Sequence, residues 1–314
     1  MKTLTLDEYA DLPESDTSYL IDKFIPCPGR ILLVGPPKKG KSYLGLQLGL
    51  AVAKGEPFMG RPSKQAKVLY LQYDTPHTLW LQRLKDLRKA GVSFHDNFVM
   101  LDPQEAKVQL DVRKNHTDVT YLKEVVCQVN PKLVIIDTLR KTFSGDENSS
   151  DIGAEVFNIL NDIFKDQAVV YIHHTHKLSP PPGKKIEHKI SPVDSVRGSS
   201  FFSGEVDAVY LLYGKYLSTD CRFDESTDYK IERDTITNLW TFPDMEKLSK
   251  QEIKIRELWS SKSWGSWLEF RKHVLHTLIT VPDHLMARLE SELASPVPPA
   301  LVNELSIPET PSIQ

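Results

Sequence analysis

The run Gly35-Pro36-Pro37-Lys38-Lys39-Gly40-Lys41-Ser42 fits the GxxxxGK[ST] pattern of a phosphate-binding loop. Glycines at its two ends let the backbone wrap closely around an anion. Several N–H groups can then point at phosphates from the start of a helix. The flanking sequence supplies what such a loop needs. The apolar run Arg30–Val34 precedes it as a strand, and a helical pattern opens near Lys41. Lys41 is expected to reach the β- and γ-phosphates of ATP, and the Ser42 hydroxyl to ligate Mg²⁺. The expected nucleotide-binding stretch therefore runs from Gly35 to Tyr43, with Lys38 and Lys39 as solvated loop residues rather than catalytic ones.

A second acid closes the run Lys132-Leu-Val-Ile-Ile-Asp137-Thr138. A carboxylate at the C-terminal end of an apolar strand sits at the mouth of a parallel sheet, where ligands bind. Asp137 is thus expected to hold the Mg²⁺ shell with Ser42. Two groups could activate water. Asp74 ends VLYLQYD and would lie beside the phosphate loop if the two strands are neighbours; the less favoured alternative, which need not exclude catalysis, is a cap on the helix that begins at Thr75-Pro76. His174, in the run His173-His174-Thr175-His176, suits a polar sensor of the γ-phosphate. A metal site and a plain strand end remain open for these histidines, although no cysteine or carboxylate cluster accompanies them.

The elements that must hold these residues follow from periodicity. Arg30–Val34, Val68–Tyr73, Leu133–Ile136, Ala168–Ile172 and Val206–Tyr213 read as buried parallel strands. Helical patterns lie between them: Leu44, Leu48, Ala51 and Val52 share one face, as do Ile152, Val156, Ile159, Leu160 and Ile163. This alternation predicts an α/β core, a mainly parallel sheet flanked by helices. Tyr229–Arg233 and Asn238–Phe242 read as a late hairpin, and Lys250–Trp259, Trp264–Leu278 and Asp283–Leu293 as C-terminal helices. The expected domains are an acidic arm at 1–18, the core at 19–245, a small helical appendage at 246–294 and a disordered proline-rich tail at 295–314.

The 314 residues are 40% hydrophobic and 26% charged, enough to build a core and too few charges for a wholly disordered chain. The net charge of −3 argues against a basic coat over the whole surface. Both ends are acidic, however, so the middle of the chain is mildly basic. Cys27, Cys127 and Cys221 form no CxxC pair, no signal-peptide pattern opens the chain, and no apolar run approaches the ~20 residues of a membrane span. A cytoplasmic protein with no membrane partner is the expectation.

Taken in order, these stretches resemble the RepA-like branch of the RecA-type P-loop ATPases, the fold of hexameric replicative helicases. The stretches are LIDKFI at 20–25, GPPKKGKS at 35–42, VLYLQYDTPHTLWLQRL at 68–84, LVIIDTLRKTFSGDEN at 133–148, YIHHTHK at 171–177 and SVRGSSFFSGEVDAVYLL at 195–212. The resemblance covers roughly residues 18–245. It implies that Asp74 polarises the attacking water, where the family usually has the longer glutamate. It implies that Arg83 lies near the adenine, a surface helix arginine being an equal alternative. It implies that His174 senses the γ-phosphate and that Arg197 is an arginine finger reaching into a neighbouring subunit. The implied protein is a homo-oligomer, a hexameric ring, that turns over ATP with Mg²⁺ as a motor on single-stranded DNA.

The segment Lys177–Arg197 is rich in proline and carries five bases against two acids. By the resemblance it faces single-stranded nucleic acid, with Lys184, Lys185, His188 and Lys189 on phosphates; a solvated linker is the alternative. Trp264, Trp267 and Phe270 form an apolar face expected to pack on the ATPase core, or else to dock a replication partner. Two other functions stay open: an ATP-gated nucleic-acid binder, loader-like or recombinase-like, with little turnover, and a signalling ATPase with no polymer substrate.

Overall fold

The computed structural model describes residues 3–11, 18–101, 111–178, 190–243, 254–255, 258–259, 266–277, 285–286 and 289–290. The chain divides into two units, Met1–Asp244 and Met245–Gln314. In the first, a short helix α1 (Leu6–Ala10) is followed by a small antiparallel pair, β1 (Tyr19–Ile21) and β2 (Ile25–Pro26).

The main sheet has eight strands: β3 (Gly29–Gly35), β4 (Val68–Gln72), β5 (Phe98–Met100), β6 (Leu133–Asp137), β7 (Ala168–His174), β8 (Ala208–Tyr213), β9 (Tyr216–Cys221) and β10 (Asp228–Lys230). Across the sheet they run β10-β9-β8-β3-β7-β6-β4-β5. The pairs from β8 to β5 are parallel, and β9 and β10 add an antiparallel edge. Residues in β4 and β6 are buried throughout, because helices cover both faces.

One face presents alternate residues, among them Leu32, Leu71, Ile136, Tyr171 and Leu211, to a core shared with α4 (His116–Val129), α5 (Ser150–Ile163) and α6 (Ser200–Gly204). Full burial of the Ile136 side chain contributes about 1.5–3 kcal/mol. The opposite face carries α2 (Lys41–Lys54), which lies against Ile135 and Ile172 and meets α3 (His77–Lys89) through Leu46, Leu50 and Leu87. The apolar face read for α5 is the face that builds the core. Helix α2 is buried nearly all round: Leu44, Leu48, Ala51 and Val52 are buried, but so are Gly45, Leu46, Gly49 and Leu50, which make the contacts with the sheet and α3.

Two expectations change. The strands β3 and β4 are not neighbours, since β7 and β6 lie between them. The late hairpin is split. Asp228–Lys230 joins the edge of the main sheet, while only β11 (Glu232–Arg233) pairs with β12 (Trp240–Thr241). Hydrogen bonding to Tyr216–Ser218 outcompetes a longer hairpin there. In the second unit, α7 (Trp267–Thr277) buries Trp267, Phe270 and Val274 with Ile255, Leu285, Met286 and Leu289. Trp267 and Phe270 of the expected apolar face are thus part of a core cluster within this unit. Trp264 and the tail at 295–314 lie outside the described residues, as does most of the predicted 250–259 and 283–293 helices.

Candidate nucleotide-binding site

Strand register lines up the site. Gly35 pairs with His174 across β3 and β7, Asp137 pairs with Ile172, and Gln72 pairs with Asp137. The C-terminal ends of four adjacent parallel strands therefore bring the phosphate loop, the histidines, Asp137 and the Gln72–Thr75 turn to one mouth.

The loop itself turns at Gly40, whose φ of 92° lies in the left-handed region. A side chain there would also meet the Trp240 ring at 2.8 Å. Trp240 donates its indole N–H to Gly40 O at 3.2 Å, and its backbone is gripped by Gln47 through a pair of hydrogen bonds of 2.8 and 2.9 Å. The phosphate loop is thus braced by a residue 200 positions further along the chain. Lys38 has a positive φ and is exposed, as is Lys39, in keeping with solvated loop residues.

Lys41 is buried, and its Nζ donates to Gly35 O and Pro36 O, each at 2.9 Å, with His174 Nδ1 3.5 Å away. Burial pulls its ammonium down to about 8, against the opposing pull of the Asp137 and Asp74 carboxylates. Asp137 is 1% exposed. Its Oδ2 accepts from the Tyr70 hydroxyl at 3.0 Å, while Oδ1 is buried with no hydrogen-bond partner. Burial raises its pKa, and the Ser42 and Tyr70 hydroxyls and Lys41 oppose that. A buried carboxylate oxygen with an unused lone pair, beside a serine hydroxyl, is a donor set that suits a hard divalent cation.

Asp74 is exposed, and its charge reaches Lys41, Asp137 and His174. Its closeness to the site comes from the turn beyond β4 and not from strand adjacency. The helix-cap reading does not hold: α3 begins at His77, and the cap position is Pro76, with no side-chain cap bond. The turn is instead shaped by buried Gln72. Its Oε1 accepts from the N–H groups of Asp74 (2.7 Å) and Thr75 (2.9 Å), and its Nε2 donates to Thr75 O (2.6 Å).

The two histidines differ. His173 is fully buried, with Nε2 2.9 Å from Arg197 O; burial holds its pKa down to about 4. His174 is half-buried, and burial and then Lys41 push it below its usual value. Both are neutral at pH 7. Among the described residues, no group of three or more His, Cys, Asp or Glu side chains could hold a metal ion.

Arg83 is not a plain surface arginine. Its guanidinium lies 4.4 Å from the Tyr43 ring centroid and 4.8 Å from that of Trp80, with Nη1 buried and unpartnered. Arg233 approaches the same Tyr43 ring at 5.2 Å and Trp240 at 5.8 Å. This cluster flanks the start of α2. On another side of the loop, a cleft of about 1080 Å³ is bordered by Pro36, Lys39, His176, Lys177, Arg197 and Tyr213. Lys184, Lys185, His188 and Lys189 lie outside the described residues.

The family model described as an AAA domain matches residues 1–180, which include the phosphate loop, Asp74, Asp137 and both histidines. The chain belongs to this AAA domain family. It is a P-loop NTPase with an α/β core; the match does not extend to the RepA-like helicase branch in particular. A KaiC-like protein from the hyperthermophilic archaeon Pyrococcus horikoshii OT3 superposes with a TM-score of 0.46 at 14% identity, over 71% of this chain and 93% of that one. No curated protein matches the sequence. No helix among the described residues is long and apolar enough to cross a membrane.

Several residues of this AAA domain's site carry little sequence signal. Tyr70 and Gln72 read simply as strand residues, and Gln47, Arg233 and Trp240 belong to no motif. Their partners are distant in sequence, so spacing could not reveal them. Tyr70 was at least recoverable as a polar-tipped side chain in a run expected to be wholly buried.

Proposed function

We propose that this AAA domain hydrolyses ATP and that it does so as an oligomeric motor on single-stranded DNA, in the manner of a RepA-like helicase. The observation that carries the hydrolytic reading is the convergence of Lys41, Asp74, Asp137 and His174 on one strand-end mouth. Loop N–H groups and Lys41 bind the β- and γ-phosphates. Ser42 and Asp137 are the residues that would hold Mg²⁺, which when bound neutralises charge on the phosphate oxygens. Tyr43, Arg83, Arg233 and Trp240 offer flat, polarisable surface for the base.

Asp74 accepts a hydrogen bond from the attacking water and takes its proton as oxygen bonds to the γ-phosphorus. The bond from that phosphorus to the bridging oxygen breaks, and ADP and phosphate leave. His174, neutral and 3.5 Å from the Lys41 ammonium, responds to the γ-phosphate by exchanging hydrogen-bond partners when it departs. Arg197 supplies positive charge to the transition state. Serving a neighbouring subunit would require a head-to-tail assembly, a ring or a filament.

The polymer reading is supported by the motif order and by the basic 177–197 segment, whose ends Lys177 and Arg197 border the cleft beside the phosphate loop. A gated binder with slow turnover is the second reading; the exposed, short Asp74 side chain favours it. Steady-state ATPase with and without single-stranded DNA separates them. Stimulation of about tenfold or more is expected, and Lys41→Ala should abolish it. Tight ATP-dependent DNA binding without faster turnover would select the gated binder. No effect of DNA on either quantity would rule out the polymer substrate.

A further inference from the structure

Glu147 is an acid with only 10% of its side chain exposed, lodged between two arginines. Acids this buried need charged partners. Its Oε1 is 2.6 Å from Arg197 Nε, and its Oε2 is 3.5 Å from Arg140 Nε. Arg140 is itself tied down: it donates to Phe143 O at 2.8 Å and Gly145 O at 3.2 Å, and lies over the Phe143 ring. Glu147 O accepts from Ser199 N at 2.9 Å. That close approach requires Gly198, whose φ is 97° and where a side-chain carbon would stand 2.8 Å from Glu147 O. Glu147 is therefore held from behind and from the side before it meets Arg197.

The Arg197 backbone is also held. Its N–H donates to His174 O at 3.1 Å, and its carbonyl faces His173 Nε2 at 2.9 Å. What the backbone does not determine is where the half-exposed side chain points, since 55% of it is open to solvent. A long arginine left free would spread over many rotamers. The 2.6 Å contact selects one of them, with Arg197 among the residues that line the cleft with Pro36 and Pro37.

We propose that Glu147 is the positioning residue for Arg197: it aims the guanidinium used on the γ-phosphate, while Arg140 steadies Glu147. This rests on the reading of Arg197 as a transition-state group. The pair also joins the 139–149 segment to the strand that carries the histidines, so the same contact couples the histidine strand to that segment.

A double-mutant cycle tests it on the full-length chain, with kcat, KM for ATP and thermal melting measured for each variant. Glu147→Gln should lower kcat by on the order of 10²-fold, the cost of a misaimed catalytic group, with KM changed by less than about threefold. Arg197→Ala should lose at least as much. The double variant should be no slower than Arg197→Ala alone, because Glu147 acts only through that side chain. Glu147→Asp should fall between Gln and wild type and be absorbed in the same way; it replaces Gln in the cycle if Gln does not fold. Multiplying effects, or a Glu147→Gln enzyme with unchanged kcat beside a crippled Arg197→Ala, would overturn the proposal while leaving the role of Arg197 intact. An Arg197→Ala enzyme with normal kcat would sink both.

Discussion

Raising the pH of the nucleotide-free protein from about 7 to about 9.5 removes the proton from Lys41, and nucleotide affinity should fall with it. Burial favours the neutral amine, so Lys41 titrates at about 8 instead of near its ordinary value of 10.5. Phosphates placed against it favour the ammonium, so the complex keeps the proton. The sign follows. Below pH 8 the lysine is charged in both states and affinity is flat. Above pH 8 binding must take up a proton, and each further unit weakens it about tenfold, or ~1.4 kcal/mol. At about pH 9.5 the dissociation constant should be roughly thirtyfold weaker than at pH 7, a loss of about 2 kcal/mol.

Titration calorimetry of a nonhydrolysable ATP analogue measures this, and heats in buffers of different ionisation enthalpy count the proton. His173 and His174 do not confuse the profile, since burial holds both below 6.5. Affinity that stays flat through pH 9.5, with no proton uptake, would refute the reasoning: Lys41 would then be neither desolvated in the free protein nor in contact with phosphate. Lys41→Arg should bind more weakly at pH 7 but lose the pH dependence, because a guanidinium does not titrate in this range.

Gly40→Ala should destabilise the first unit by about 1–2 kcal/mol through its positive φ, plus the clash with Trp240. Thermal melts of Gly40→Ala, Trp240→Ala and the double variant check this, with a less-than-additive double as the expected result. Asp137→Asn removes a carboxylate whose charge burial disfavours. The nucleotide-free variant should melt no lower than wild type at pH 7, while Mg²⁺-dependent turnover falls on the order of 10²–10³-fold. A melt far below wild type would mean that the Asp137 charge stabilises the fold.

The local pattern of the chain carried most of the architecture. Burial on both faces makes β3, β4, β6, β7 and β8 read as continuous apolar runs, and each run is found as a strand to within two residues at either end. The amphipathic spacing of α5 was legible for a different reason, since only one of its faces is buried; α2 is buried nearly all round, so its apolar residues mark no single face. A phosphate loop is contiguous, so Gly35, Gly40, Lys41 and Ser42 were visible from spacing. So was Asp137, since a carboxylate that ends an apolar strand is a short-range signal.

Strand order was not legible, because periodicity says which faces are buried but not which strands pair. Only the tertiary structure put β7 between the phosphate-loop strand and the Asp137 strand, and so brought His174 to Lys41 and left Asp74 to approach by a turn. It also decided the contacts made by single side chains across long separations. Trp240 braces Gly40, Gln72 shapes the Asp74 turn, and Glu147 holds Arg197. Chain-local chemistry determined the parts that touch phosphate. Long-range packing, whose partners leave no regular spacing in the sequence, decided how those parts are aimed.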